Sequence, residues 1–306
     1  MSYNVNWDSI FPAGDRENHV LRIANRELFF QNLLATVQPD IVCLQEINPD
    51  RDPQQVSELI AQVLSTNGDA PWEATSARDS VIATRFPLRV EGFELSAPGY
   101  PRDLGQAAAL IDLPDERYGA LDLYVLCAHF KSGGSQNDID LRQRQADVVT
   151  QQLGDAITPG GSLDLPEGTP LIVMGDFNAY DTDPAHHLTT LLSGDIADEE
   201  RYGPDLAPDW DGTGLDDALP SHNASGETYY TWRDDSGQFN PWPLDRILFS
   251  DSALAIENAF VFNTDLLSEE ALEALNLHAD DIWLNRTLGV LDHLPLVVDF
   301  VINLQR

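Results

Sequence analysis

Short, nearly unbroken apolar runs that end on a polar residue limit this chain's fold most. Runs recur at Ile41–Glu46, Ser80–Thr84, Ala107–Leu113, Leu121–Phe130, Pro170–Met174, Leu244–Phe249 and Leu294–Ile302. Runs of this length without polar alternation fit strands buried on both faces, which need cover above and below. Helical patterns lie between them. In Pro53–Ser65 the residues Val56, Leu59, Ile60, Val63 and Leu64 share one face, with Asp52 as N-cap and Pro53 at the first position. Glu27–Val37 and Asp138–Leu153 read the same way, whereas Gly160–Gly168, Ala197–Ser225 and Asp234–Pro243 read as loops. Alternating strands and helices over 306 residues, with no repeat or linker, give one α/β domain spanning 1–306.

The ends of the runs carry the chemistry. Ile41-Val42-Cys43-Leu44-Gln45-Glu46 delivers a carboxylate at the end of a buried strand. Leu171-Ile172-Val173-Met174-Gly175-Asp176-Phe177-Asn178 delivers Asp and Asn two residues apart, on the same side of an extended segment. Val125-Leu126-Cys127-Ala128-His129 delivers an imidazole, and Leu291-Asp292-His293-Leu294-Pro295 an adjacent carboxylate and imidazole. In open α/β sheets, ligands bind at such strand ends. Oxygen donors without zinc-type Cys or His spacing favour Mg²⁺, Mn²⁺ or Ca²⁺. Each signal alone has a plain alternative: a surface acid at Glu46, a turn at Asp176-Phe177-Asn178, a strand cap at Asp292-His293, a structural His129.

Charge narrows the partners. With 51 acidic residues against 17 basic ones, the net charge is −34, and Lys131 is the sole lysine. Such a chain repels polyanions at long range and lacks the broad basic groove of most nucleic-acid binders. It also suits work in high salt. No stretch of eighteen apolar residues exists to span a membrane, and no signal peptide opens the sequence. Burial preference favours free thiols over a disulfide for Cys43 and Cys127. No obligate protein partner is evident.

In order along the chain, Ser2-Tyr3-Asn4-Val5-Asn6, Cys43-Leu44-Gln45-Glu46, Ser80–Pro87, Ala128-His129-Phe130-Lys131-Ser132, Gly175-Asp176-Phe177-Asn178-Ala179, Leu244-Asp245-Arg246-Ile247-Leu248 and Asp292-His293-Leu294-Pro295 resemble the endonuclease/exonuclease/phosphatase superfamily of metal-dependent phosphoesterases, which includes deoxyribonuclease I. The resemblance covers the whole chain. It implies a four-layered α/β/β/α sandwich, two mixed sheets packed face to face with helices outside. It implies Glu46 as principal metal ligand, helped by Asn4, Asn6 and Asp292. Asp176 would orient or deprotonate the attacking water, and Asn178 would hold that water or a phosphoryl oxygen. His293 would bond a phosphate oxygen with Asp245 setting its tautomer, and His129 would bind phosphate or protonate the leaving oxygen. Asn6 stands where several relatives carry Asp, which lowers the charge at the metal; Leu291 stands where many carry Ser. Asn4 lies almost at the first residue, so the resemblance implies a first strand trimmed upstream; with a signal among the trimmed residues, the protein would be secreted or periplasmic.

The substrate stays open between two readings. His129-Phe130-Lys131-Ser132-Gly133-Gly134 and Arg142-Gln143-Arg144-Gln145-Ala146 are similar to bacterial extracellular-nuclease-like members. That favours a phosphodiesterase acting on nucleic acid, with Lys131, Arg142 and Arg144 as phosphate contacts. For the two arginines, helix-surface salt bridges are an equal alternative. Acidity favours a phosphatase or sphingomyelinase-like hydrolase of a small or lipid phosphoester. An inactive binding module is the remote alternative. Trp232, Phe239 and Trp242 surround the loop before Asp245, where stacking of bases, a lipid surface and simple loop packing are all open.

Overall fold

The computed structural model describes residues 1–11, 26–66, 70–90, 94–95, 105–180, 186–223, 229–234, 239–279 and 293–303. One sheet is built from β1 (Ser2–Asn4), β2 (Ile41–Gln45), β3 (Glu73–Ala77), β4 (Ser80–Thr84), β12 (Leu254–Val261) and β13 (Leu296–Ile302), in the order β12-β13-β1-β2-β4-β3. The other takes β5 (Leu88–Val90), β6 (Glu94–Leu95), β7 (Gln106–Ile111), β8 (Leu123–His129), β9 (Leu171–Asp176), β10 (Asp216–Asp217) and β11 (Asp245–Phe249). Its order is β10-β11-β9-β8-β7-β5, with β6 also paired to β7. Both sheets are mixed: β1 runs parallel to β2 and β8 parallel to β9, and the remaining pairs are antiparallel.

Strand β8, which follows the short helix α3 (Asp115–Tyr118), shows why the apolar runs lack alternation. Leu123, Val125 and Cys127 enter the core between the sheets, where Cys127 meets Cys43 of β2. Tyr124, Leu126 and Ala128 turn the other way into a second core. There they meet Ala146, Val149 and Leu153 of α4 (Gln136–Ile157) and Leu191 of α5 (His187–Ser193). On the other face of the first sheet, Phe30, Leu33 and Leu34 of α1 (Arg26–Val37) and Val56, Leu59 and Ile60 of α2 (Pro53–Leu64) are buried in the same continuous cluster, α2 lying against β3 and β4. Helix, sheet, sheet and helix make the four-layered sandwich. Because sheets are period-two surfaces, a strand covered on both faces must be apolar at every position.

Local chemistry sets the boundaries. The Asp52 carboxylate accepts the Gln54 N–H at 3.0 Å at the start of α2, and Pro53 needs no partner for an N–H it lacks. Helix α4 starts earlier and runs longer than the Asp138–Leu153 pattern, because Ser135 and Asp138 form a capping box. The 197–225 stretch is not wholly loop: it contains α6 (Glu199–Tyr202) and β10. Strand β12 escapes a reading based on apolar runs because its central residues are exposed at the sheet edge.

The two cysteines are not free thiols. Cys43 of β2 and Cys127 of β8 form a disulfide, with Cα atoms 5.7 Å apart and the residues 84 positions apart in sequence. Facing positions on two packed sheets bring them together, which no local preference could signal. The bond ties the sheets to each other through the core. Among the described residues, no helix is long and apolar enough to cross a membrane.

Candidate active site

Two parallel strand pairs, one in each sheet, end at the same edge of the sandwich. Asn4 of β1 is in register with Gln45 of β2, so Asn4 and Glu46 leave the first sheet together. His129 of β8 is in register with Asp176 of β9, and Asp245 of β11 pairs with Asp176 from the opposite direction. The Asn4 amide joins the halves: its Nδ2 donates to Glu46 Oε1 and to Asp176 Oδ2, each at 3.1 Å. Asn6 is tied in through its backbone N–H, which donates to Asn4 Oδ1 at 3.0 Å.

Backbone conformations that most side chains avoid cluster here. Asn6, Glu46 and Asn178 have φ of 46°, 61° and 48°, in the left-handed region. The Glu46 carbonyl accepts the Asp8 N–H at 2.7 Å, and Arg51 Nε grips Asp8 Oδ1 at 2.9 Å, which braces that turn. Gly175 has φ +147°, and a Cβ there would stand 1.9 Å from the Ala128 carbonyl oxygen. Only glycine lets β9 lie against β8 at the step before Asp176.

Asp176 is the centre of the cluster. It is buried, and its Oδ1 accepts the Asn178 N–H at 2.9 Å. His129 Nε2 and His293 Nε2 both stand 3.7 Å from Asp176 Oδ2, on separate elements. The far nitrogen of each ring meets a carboxylate: His129 Nδ1 lies 2.6 Å from Asp79 Oδ2, and His293 Nδ1 lies 2.8 Å from Asp245 Oδ2. Asn178 Nδ2 donates to the Phe130 carbonyl at 2.9 Å, which leaves its Oδ1 as an acceptor.

Burial raises the Asp176 carboxyl to about 6; Asp245 adds to the rise, while His293 and His129 oppose it. Burial works against charge on His129, but the Asp79 carboxylate, with Asp176 and Glu46, overrides it and lifts the imidazole to about 9. Near neutral pH the site therefore holds a carboxyl close to its titration point beside a charged imidazole.

Asp79 was not among the residues the motifs single out. A two-residue hairpin, Arg78-Asp79, joins β3 to β4 and presents the carboxylate to His129, 50 residues further on. Its other oxygen accepts the Gly105 N–H at 3.1 Å. In sequence, an aspartate between two strands reads as a turn former, so its pairing is invisible there. Thr231 is a similar case: its hydroxyl accepts the Asp245 N–H at 2.9 Å.

The nominated cations are placed differently. Lys131 Nζ donates to the Ser132 carbonyl at 2.6 Å and lies 3.3 Å from Asp138 Oδ1. Arg142 is buried, and its Nη1 donates to the carbonyls of Lys131 and Gly133 at 2.8 and 2.7 Å, so it shapes the loop after His129. Arg144 is half-buried and close enough to Tyr202 to act on its hydroxyl's titration. Asp292 lies outside the described residues.

Two donor groups flank Asn4. Glu46 stands on one side; on the other, Asp176, Asp245 and His293 offer ligand atoms within 4.8 Å of one another. Asp245 Oδ1 is buried with no hydrogen-bond partner, an acceptor that a cation can satisfy. Carboxylate and amide oxygens with one imidazole suit a hard divalent ion.

A family model described as Endonuclease/Exonuclease/phosphatase family matches residues 1–268. No curated protein matches the chain. Among solved structures, the human Nocturnin catalytic domain with bound sulfate is similar with a TM-score of 0.56 and 20% identity, covering 98% of this chain and 94% of that one. ANGEL2, described as a 2′,3′-cyclic phosphatase, gives 0.58 and 16%, covering 98% and 93%. D. rerio TDP2 complexed with single strand DNA product gives 0.51 and 19%, covering 85% and 88%. At these identities the likeness is one of fold.

Proposed function

The chain belongs to the endonuclease/exonuclease/phosphatase family of phosphoester hydrolases, and from that premise we propose that it is a divalent-metal-dependent phosphodiesterase that cleaves nucleic acid or nucleotide diesters by in-line attack of water. One observation carries the reading: a buried aspartate stands between two imidazoles at equal distance, and each imidazole is backed by its own carboxylate.

Hydrolysis of a phosphodiester puts negative charge on the equatorial oxygens and on the leaving oxygen, in line with the incoming water. Asp176, poised near 6, takes the proton from that water, and Asn178 Oδ1 orients it. His129 stays charged at neutral pH, because Asp79 holds its Nδ1 and leaves Nε2–H to face the phosphate or the leaving oxygen. Asp245 accepts from His293 Nδ1–H in the same way and aims its Nε2 at a non-bridging oxygen, to which the doubly protonated ring would donate. A bound Mg²⁺ or Mn²⁺ neutralises phosphoryl charge. Glu46 would hold it, with Asn4, Asn6 and Asp292 assisting. Lys131 and the loop shaped by Arg142 would supply the nearby positive charge, with Arg144 behind them.

The net charge favours a second reading, a small or lipid phosphoester. Single-stranded DNA, RNA, sphingomyelin vesicles and inositol phosphates, each with Mg²⁺, Mn²⁺ and Ca²⁺, separate the two. For the mechanism, Glu46→Gln should weaken Mn²⁺ binding in titration calorimetry. Asp176→Asn should spare binding and abolish turnover. Equal loss of affinity in both variants would move the ion to the Asp176 group and overturn this division of roles.

A further inference from the structure

The residues around His293 include more aromatic rings than the chemistry uses. Trp232 and Trp242 form a mutual antiparallel pair, each backbone N–H donating to the other's carbonyl at 2.9 Å. Trp232 also pairs antiparallel with His293. Directly opposed residues in such a ladder project to the same face. Trp242, Trp232 and His293 therefore share the face that carries the reacting imidazole. Trp232 is buried in the middle, with the Phe239 ring 6.4 Å from it and 57% exposed. Trp242 is half-buried, and the Tyr180 ring meets it edge-on at 6.1 Å. Tyr180 lies two residues past Asn178, and the Arg142 guanidinium stands 5.7 Å from its ring centroid. An aromatic floor thus runs outward from the phosphate-handling groups.

We propose that Trp242 and Tyr180, with Phe239 at the rim, form a stacking subsite for a nucleobase next to the scissile phosphate, so that the enzyme takes single-stranded or nucleotide diesters in preference to duplexes. The inference rests on the nucleic-acid reading above. Scattered exposed apolar residues are ordinary, but four rings in mutual contact beside a phosphate site provide a platform for a planar group. Charge points the same way. A protein of net charge −34 with Lys131 engaged by Asp138 has little to hold a long phosphate backbone. Stacking holds a base without such a track, and only an unpaired, unstacked base offers its face.

The test compares a short oligothymidylate with the same sugar-phosphate backbone carrying abasic residues, in the metal-loaded protein. Wild type should hydrolyse the thymidylate with a kcat/KM about tenfold higher, the scale of one lost stacking contact. Trp242→Leu should bring the two substrates to the same rate, and Trp242→Phe should restore most of the preference. A thymidine duplex with its adenine complement should be cut more slowly than the single strand. Equal rates on both substrates in wild type, or a Trp242→Leu loss that falls equally on both, would overturn the subsite and leave the phosphodiesterase reading standing. Turnover of sphingomyelin vesicles with neither oligomer cleaved would remove the nucleic-acid reading and the subsite together.

Discussion

The two Asp–His pairs that flank Asp176 look alike and are not equivalent. Both rings present Nε2 at 3.7 Å from the same carboxylate oxygen. Both Nδ1 atoms are held by buried aspartates. The Asp79 carboxylate is satisfied twice, by His129 and by the Gly105 N–H, and it raises His129 to about 9. The Asp245 carboxylate bonds His293 through one oxygen and leaves the other buried without a hydrogen-bond partner. One pair is electrostatically closed and holds a fixed positive charge near neutral pH. The other has an acceptor in reserve, within the group able to hold a cation. Near-symmetric geometry can thus support two roles, because burial makes each unpaired or paired oxygen count.

Removing the open pair's imidazole should have the largest effect. His293→Ala is expected to lower kcat by about a thousandfold, the scale of a lost proton donor or charge-stabilising group. Asp245→Asn should cost about a hundredfold or less, since it acts through the ring's orientation. Steady-state rates on a nucleotide diester decide it, and a His293→Ala enzyme with more than a tenth of wild-type activity would break the assignment.

The closed pair should show itself in pH. With His129 required in its charged form, kcat should fall as pH rises through about 9. Asp79→Asn should bring that alkaline limb down towards the ordinary imidazole range and lower kcat by about tenfold at pH 8. An unmoved limb would mean that the limiting group is not His129.

The smallest effect concerns stability in chelator-treated protein. The folded pKa of His129 stands near 9, against 6.5 for an ordinary imidazole. A raised pKa stabilises the fold below the unfolded value, and that contribution fades as pH climbs through the folded one. The margin in Tm of wild type over His129→Gln should therefore be full below about pH 6.5 and vanish above about 9. It should be worth at most about 3 kcal/mol. A margin that grows with pH would contradict the sign.

The halves of the site differ in how far they could be read from the chain. The Gly175-Asp176-Phe177-Asn178 segment was legible because its geometry is local. The glycine permits the close strand approach, and the two polar residues follow on one turn. Glu46 and His129 were legible as polar ends of apolar runs and Asp245 through the family resemblance, and the fold gathers them at one edge through Asn4 and Asp176. Asp79 was not, since a hairpin aspartate carries no local mark of the imidazole it meets. Arg142 was read with a surface salt bridge as the alternative to phosphate; burial put its guanidinium on two loop carbonyls.

Which strands must be covered on both faces, which residue types stand at their ends and in what order they come are legible along the chain. Period-two apolar burial, helix caps and glycine conformation act over a few residues and can be read there. That Cys43 meets Cys127, that His129 meets Asp79, and that Trp242 and Trp232 share a face with His293 follows from the assembled fold alone. Those contacts join residues 84, 50 and up to 61 positions apart. They depend on sheet register and on how two sheets face each other, both of which arise from the packing of the whole core.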